Sequence, residues 1–394
     1  MSKTESSSAP AVVDSPTPTK AYSDILSHLR DENRLREIPA DPDANFSTVD
    51  LLSNDYLGLG SESHLYIEEF RRRFPDAEFT SSASRLLSRR NHYHSRLEAY
   101  LEELYGRPAL LFNSGYHANV GMIQALAIPS TLFLADKLVH ASAIDGLRLS
   151  GADYRRFPHN DIKKLKRLLR DNHAAYERII VVVESVYSMD GDLAPIERIV
   201  ALKKDFPNMM IYLDEAHGFG VRGERGLGLA EEKKVVDDID IIMGTLGKAA
   251  ASAGAFAVAS PAIKDYLVNT ARSFIFSTAI SPAQAAWSIL MIEKLTAMSD
   301  RRRRLARIGH DLRQQLFRKA NIETPSESHI VPVIIGDAGE ALNMARYLRA
   351  NGFDSLAIRK PTVAVGSERL RLSLNALLTD SDISRLVEVI GNYH

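Results

Sequence analysis

Met210-Ile211-Tyr212-Leu213-Asp214-Glu215-Ala216-His217 and Ile239-Asp240-Ile241-Ile242-Met243-Gly244-Thr245-Leu246-Gly247-Lys248 are two largely apolar runs that each end in chemistry-bearing side chains. Ile179 to Glu184 repeats the pattern as a continuous β-branched run. Such runs are expected of strands buried on both faces, the signature of a mostly parallel sheet. In an open parallel sheet the C-terminal strand ends line the ligand crevice, so Asp214 and Lys248 are expected to face one cavity.

On the N-terminal side of these runs short apolar strands alternate with helical patterns: Ala109 to Phe112, Ala118 to Ala127, Thr131 to Ala135, a helix from Ala141, then Asp161 to Arg170. This alternation predicts an α/β fold. Beyond Pro282 a long helical stretch, Ala283 to Ala320, precedes short strands at Ile330 to Ile335 and Arg369 to Leu374, with a helix at Gly339 to Asn351 between them. The expected organisation is a tail over 1–20, an N-terminal helix and segment over 21–52 broken by Pro39 and Pro42, a large domain over 53–282, and a smaller C-terminal α+β domain over 283–394.

The 49 basic and 50 acidic residues leave a net charge of -1, which gives no global field for nucleic acid or an anionic membrane. The run Arg301 to Arg304 is expected to be a solvated helix face. No cysteine is present, which excludes disulfides, thiolate metal sites and a cysteine nucleophile. No apolar stretch reaches the roughly 18 residues of a membrane span. The Ser- and Pro-rich start lacks the apolar core of a signal peptide, so the expected location is the cytoplasm.

His217-Gly218-Phe219-Gly220-Val221-Arg222-Gly223 contains Gly-x-Gly-x-x-Gly after a strand, but the chain runs on through Glu224-Arg225-Gly226-Leu227-Gly228, which is loop chemistry rather than the helix a dinucleotide site requires. Gly244-Thr245-Leu246-Gly247-Lys248 is too short for a Walker A loop, and Ala249 follows it. His92-Tyr93-His94 lacks further ligands at recognisable spacing and reads as a packed or hydrogen-bonded pair, so no metal is expected. A lysine ending an apolar strand is a different matter: desolvation favours its neutral amine and Schiff-base chemistry. Ser114-Gly115-Tyr116-His117 lies between a strand and a helical pattern, where free N–H groups hold a phosphate. A Schiff-base lysine, an acid for a pyridinium nitrogen and a phosphate cradle together are what pyridoxal phosphate requires.

From about Ser53 to the C-terminus the chain resembles the α-oxoamine synthases, pyridoxal-phosphate enzymes of fold type I. The resemblance is carried by Ser53-Asn54-Asp55-Tyr56-Leu57-Gly58, Asn113-Ser114-Gly115-Tyr116-His117-Ala118-Asn119, Ser188-Met189-Asp190-Gly191-Asp192, Asp214-Glu215-Ala216-His217-Gly218 and Gly244-Thr245-Leu246-Gly247-Lys248, in family order. It implies that Lys248 carries the cofactor as a Schiff base, that Asp214 pairs with its ring nitrogen, that His140 stacks on the ring, and that His217 bonds its phenolic oxygen. Ser188 is implied as a further cofactor contact, Gly115, Tyr116 and Thr245 lie at the phosphate end, and Ser277 and Thr278 reach the phosphate of a neighbouring subunit. A homodimer with shared active sites follows from that last implication.

Arg369 and Arg371 alternate with apolar residues and so share one side of a strand. The family match selects Arg371 to capture an amino-acid carboxylate, for which a bidentate guanidinium is suited. The ending Ile358-Arg359-Lys360-Pro361-Thr362-Val363 is most similar to the family branch that condenses a pimeloyl thioester with L-alanine. Thr362, Arg36 and Asn54 are then implied substrate contacts, and the acyl donor is an acyl-CoA or an acyl-carrier-protein thioester. The sequence departs from the family at Thr80 to Asn91, where serines and arginines replace glycines near the expected acyl chain.

Overall fold

The computed structural model describes residues 18–38, 48–89 and 92–393. The expected tail up to residue 17 and the expected break at Pro39 and Pro42 lie outside these residues. The chain enters as a helix over Lys20–Asp31 and a two-residue strand, β1 (Val49–Asp50). The large sheet follows: β2 (Ala109–Phe112), β3 (Thr131–Asp136), β4 (Asp153–Phe157), β5 (Arg178–Glu184), β6 (Met209–Asp214), β7 (Ile241–Thr245) and β8 (Ala255–Ala259). Its order is β2-β8-β7-β6-β5-β3-β4, and β8 alone runs antiparallel to its neighbours.

The apolar runs form strands because both faces are covered. In β5, Ile179, Val181 and Val183 pack into one core, and Ile180 and Val182 into the core on the opposite face. β6 divides likewise, with Ile211 and Leu213 on one face and Tyr212 on the other. This alternation is what a two-sided sheet demands of its central strands. The register sets Glu184 beside Asp214 and Asp214 beside Met243, so the chemistry-bearing ends are level.

The smaller sheet comprises β9 (Ile330–Ile334), β11 (Leu356–Ile358) and β12 (Arg369–Ser373), ordered β11-β12-β9 and antiparallel throughout. A helix over Ala338–Ala350 connects β9 to β10 (Phe353–Asp354), and β10 pairs in parallel with β1. The segment before Ser53 is thereby built into the C-terminal part of the molecule.

Several sequence expectations need correction. The stretch from Ala283 to Ala320 is two helices, Pro282–Ala297 and Ser299–Ala320, separated at Met298. The first packs on the helix over His92–Tyr105, and the second on the C-terminal helix over Asp380–Gly391. Strands β4 and β8 were not foreseen. The Arg301 to Arg304 run is not a solvated face, because three of its four guanidiniums serve backbone carbonyls. Arg301 bonds Leu57 O, buried Arg302 bonds Leu295 O and Thr296 O, and Arg304 bonds Ala376 O and Leu378 O. Carbonyls left without partners in a tightly packed region are costly, and these arginines satisfy them.

The glycines after His217 have a packing role. Glu215 is fully buried, and a Cβ at Gly218 would lie 2.0 Å from its Oε2, while one at Gly228 would lie 2.4 Å from its carboxyl carbon. The loop wraps a buried carboxylate that accepts the Ala230 N–H. Among the described residues no helix is long and apolar enough to cross a membrane.

Candidate active site

The C-terminal ends of β5, β6 and β7, with the helix over Gly115–Leu126, enclose a cavity of about 160 Å³. Gly115, Tyr116, His140, Asp214, His217, Thr245 and Lys248, seven of the residues selected from the sequence, line it together. Ser114 caps the helix N-terminus through the His117 N–H, which leaves the first helical turn facing the cavity at Gly115 and Tyr116. Tyr116 is half exposed and donates to Asp145 Oδ2 at 2.5 Å. His140 caps the helix over Ala141–Ser150 and meets Ser142 Oγ at 2.7 Å through Nδ1.

Asp214 is buried and held from two sides. Its Oδ1 accepts the Ala216 N–H at 2.8 Å, and its Oδ2 accepts Asn119 Nδ2–H at 2.8 Å. Asn119 is fixed in turn, because its Oδ1 accepts the Tyr212 hydroxyl at 2.6 Å and its Nδ2 also donates to Ser142 Oγ. Beside Asp214, burial first and then the Asp214 charge push Glu184 well above the usual carboxylate range. Its Oε1 is buried with no hydrogen-bond partner, as suits a protonated acid better than a carboxylate.

Lys248 Nζ lies 2.7 Å from His217 Nε2. Desolvation lowers the lysine to about 8 against the opposing pull of Asp214 and Glu184. Burial, and then the Lys248 charge, hold His217 well below its ordinary range, so it is a neutral imidazole. His217 Nδ1 lies 2.6 Å from Tyr56 Oη, and Tyr56 donates to Asn54 Oδ1 at 2.9 Å. The phenol has one proton, so while Asn54 accepts it Tyr56 takes a hydrogen bond from His217 Nδ1–H, and Nε2 is left to accept from Lys248. Arg371 closes the chain, donating from both terminal nitrogens to Asn54 Oδ1 at 3.2 Å and from Nε to Ser188 O at 2.6 Å.

The remaining sequence candidates lie around this cavity rather than in its wall. Ser188 presents its carbonyl to Arg371. Ser277 Oγ and Thr278 O both accept from Asn113 Nδ2, and Ser277 lines a separate small cleft with Arg85 and His94. Arg36 donates to Thr362 Oγ1 at 3.1 Å, at another opening lined by Arg34, Lys360 and Pro361. The histidine pair divides: His94 is buried on Ile280 O, and His92 faces outward near Asp76. Glu184, Asn119, Tyr56 and Ser142 were not singled out from the sequence. The strand-end rule that selects Asp214 applies equally to Glu184, and Tyr56 and Asn119 lie inside quoted motifs.

A family model described as aminotransferase class I and II matches residues 47–390. The chain belongs to the aminotransferase class I and II family. Among members of this family, an 8-amino-7-oxononanoate synthase of Haemophilus ducreyi is 45% identical over 351 residues, which are 87% of this chain and 91% of that protein. A solved serine palmitoyltransferase of Sphingomonas wittichii superposes with a TM-score of 0.86 at 28% identity, covering 95% of this chain and 97% of that one. A crystal structure of 8-amino-7-oxononanoate synthase from Francisella tularensis gives 0.75 at 27% identity over 88% and 98% of the two chains.

The donor set fits the pyridoxal phosphate that the aminotransferase fold implies. The cavity offers a lysine amine of lowered basicity, a firmly held carboxylate and a helix N-terminus at Gly115. Lys248, Asp214, His217, His140, Gly115, Tyr116 and Thr245, which line the cavity, are the residues that would hold it.

Proposed function

We propose that this chain is an 8-amino-7-oxononanoate synthase, a pyridoxal-phosphate-dependent acyltransferase that condenses L-alanine with a pimeloyl thioester, releasing carbon dioxide and thiol. The 45% identity to a synthase of that name, spanning most of both chains, carries this reading. Bound pyridoxal phosphate supplies an electron sink for negative charge at the α-carbon of the amino acid.

The chain's own groups divide the remaining work. Lys248, with its amine lowered to about 8, would hold the cofactor, and its free amine would serve as the base that takes the α-proton. Asp214, fixed by Asn119 and the Ala216 N–H, keeps a proton on the ring nitrogen. His140, in the cavity wall, would pack against the cofactor, and His217 would hold its phenolic oxygen and polarise the thioester carbonyl. Arg371 takes the substrate carboxylate with the two terminal nitrogens now resting on Asn54. Gly115, Tyr116 and Thr245 would receive the cofactor phosphate, and Ser188 would contact the cofactor.

Ser277 and Thr278 lie outside the cavity of their own chain, which supports a role across a homodimer interface at the partner's phosphate. Arg36 and Thr362, hydrogen-bonded to one another beside Lys360, are assigned to the acyl substrate, delivered by CoA or an acyl carrier protein in the cytoplasm. The large cofactor domain and the small domain bring Lys248 and Arg371 to one site from separate sheets.

The higher TM-score with serine palmitoyltransferase favours a second reading, in which serine and a longer acyl thioester replace alanine and pimeloyl. Separate titrations of the holoenzyme with L-alanine, glycine and L-serine distinguish them. A visible-band shift strongest with L-alanine, and 8-amino-7-oxononanoate detected by mass spectrometry after adding pimeloyl thioester, is expected. A response confined to L-serine or glycine, with no such product, contradicts the assignment.

A further inference from the structure

Arg371 is held on one side by Asn54 and Ser373 and on the other by a turn that follows β5. Val186 bridges Leu193 across the foot of this turn, Ser188 O accepts Arg371 Nε–H, and Asp190 pairs with Arg369. The turn is seated deeply, since a Cβ at Gly191, whose φ is +69°, would lie 1.9 Å from Ile330 O. Whatever locates the turn against the sheet therefore sets the Nε side of the guanidinium.

At the foot of the turn Asp192 Oδ2 lies 2.6 Å from His159 Nε2, and the other ring nitrogen, Nδ1, lies 3.0 Å from Asp136 Oδ1. Asp136 is fully buried and ends β3, from which the chain runs on to His140. Carboxylate oxygens accept and do not donate, so an imidazole bonded to one through each nitrogen donates from both and carries a positive charge. Asn160 reinforces the bridge: its backbone N–H bonds Asp136 Oδ2, and its side chain bonds Asp192 Oδ2 and Leu193 O. The His159 ring stands edge-on to Tyr187, 4.4 Å between centroids. His159, Asp136 and Asp192 are absent from the wall of the reaction cavity, so their contribution reaches the site through the turn.

We propose that His159 is a positioning residue: the Asp136–His159–Asp192 bridge sets the 186–193 turn in register with the sheet and so aims Arg371 at the amino-acid carboxylate. This rests on the assignment of Arg371 as the carboxylate-binding group. A displaced guanidinium weakens amino-acid capture while leaving the lysine, the acid and the acyl entrance in place, so the effect is selective for one substrate.

The test compares wild-type holoenzyme with His159→Ala, Asp192→Asn and Arg371→Ala. The amino acid used is whichever gives the largest wild-type spectral response, so an error in the alanine assignment leaves the experiment intact. The readouts are the dissociation constant from the cofactor band, the KM of each substrate, kcat, and the melting temperature. The expected result is a rise of about tenfold in amino-acid dissociation constant and KM for the His159 and Asp192 variants, with kcat and the acyl-thioester KM within about twofold of wild type. A lower melting temperature with an unchanged amino-acid dissociation constant overturns the proposal, as does a parallel loss in both substrates and kcat. Should His159→Ala fail to fold, Asp192→Asn decides by the same criteria. If Arg371→Ala leaves amino-acid binding at the wild-type value, the carboxylate assignment itself fails, and this inference with it. If Arg371→Ala weakens binding and the other two variants do not, the bridge alone is refuted.

Discussion

Lys248 Nζ stands 2.7 Å from His217 Nε2, and both groups are pressed toward their neutral forms, the lysine to about 8 and the histidine well below its usual range. Burial is the leading cause in each case, so the same closed strand ends that make the cavity also make its amine available as a nucleophile and base.

The lowered lysine has a direct kinetic expression. Only the neutral amine attacks a cofactor aldehyde, so the rate of pyridoxal phosphate uptake by cofactor-free protein should rise with pH to a plateau whose midpoint lies near 8. Stopped-flow absorbance over pH 6 to 11 measures it. A rate still climbing through 10.5, the ordinary lysine value, would show that the amine is not desolvated.

Tyr56→Phe removes the oxygen that meets His217 Nδ1 and Asn54 Oδ1. The bond to His217, worth about 1 kcal/mol, is the one that bears on turnover, and its loss predicts roughly fivefold slower turnover with little change in the amount of bound cofactor. Steady-state kinetics and the visible spectrum check both halves, and a wild-type kcat would remove Tyr56 from the account.

Glu184 and Asp214 are register neighbours with opposite expected behaviour. The protonated form favoured at Glu184 is mimicked by glutamine, so Glu184→Gln should keep the cofactor band and turnover within about threefold. Asp214→Asn cannot keep the ring nitrogen protonated and should lose about 10²-fold or more in kcat. Equal losses in the two variants would mean that Glu184 is ionised.

His159 also makes a prediction for stability. Burial alone would lower it, but the hydrogen bonds to Asp136 and Asp192, and then their charges, raise it to about 10. Its folded value lies above its unfolded one, so the contribution is fully present below about 6.5 and is lost as pH rises through about 10. The difference in urea midpoint between wild type and His159→Ala should therefore shrink between pH 6 and pH 10. A constant difference would contradict a charged bridge.

The strand ends are legible in the sequence because a sheet covered on both sides requires unbroken apolar runs, and the residue that breaks each run stands at the crevice. That logic locates Asp214 and Lys248 and, applied once more, would have located Glu184. β8 escapes notice because Ala255 to Ala259 is short, alanine-rich and antiparallel, without the β-branched pattern of its neighbours. The Arg301 to Arg304 run misleads for another reason: charge marks a side chain that needs partners, and backbone carbonyls meet that need as well as water does. Tyr56 and the His159 bridge depend on groups far apart in the chain, and no local pattern encodes such a meeting.

The most direct test of the central claim is borohydride reduction of the holoenzyme followed by peptide mapping. The reduced cofactor should be recovered on the peptide containing Lys248, and Lys248→Ala, still folded by circular dichroism, should yield no labelled peptide and no turnover. Cofactor fixed to a different lysine, or turnover retained by Lys248→Ala, would contradict it.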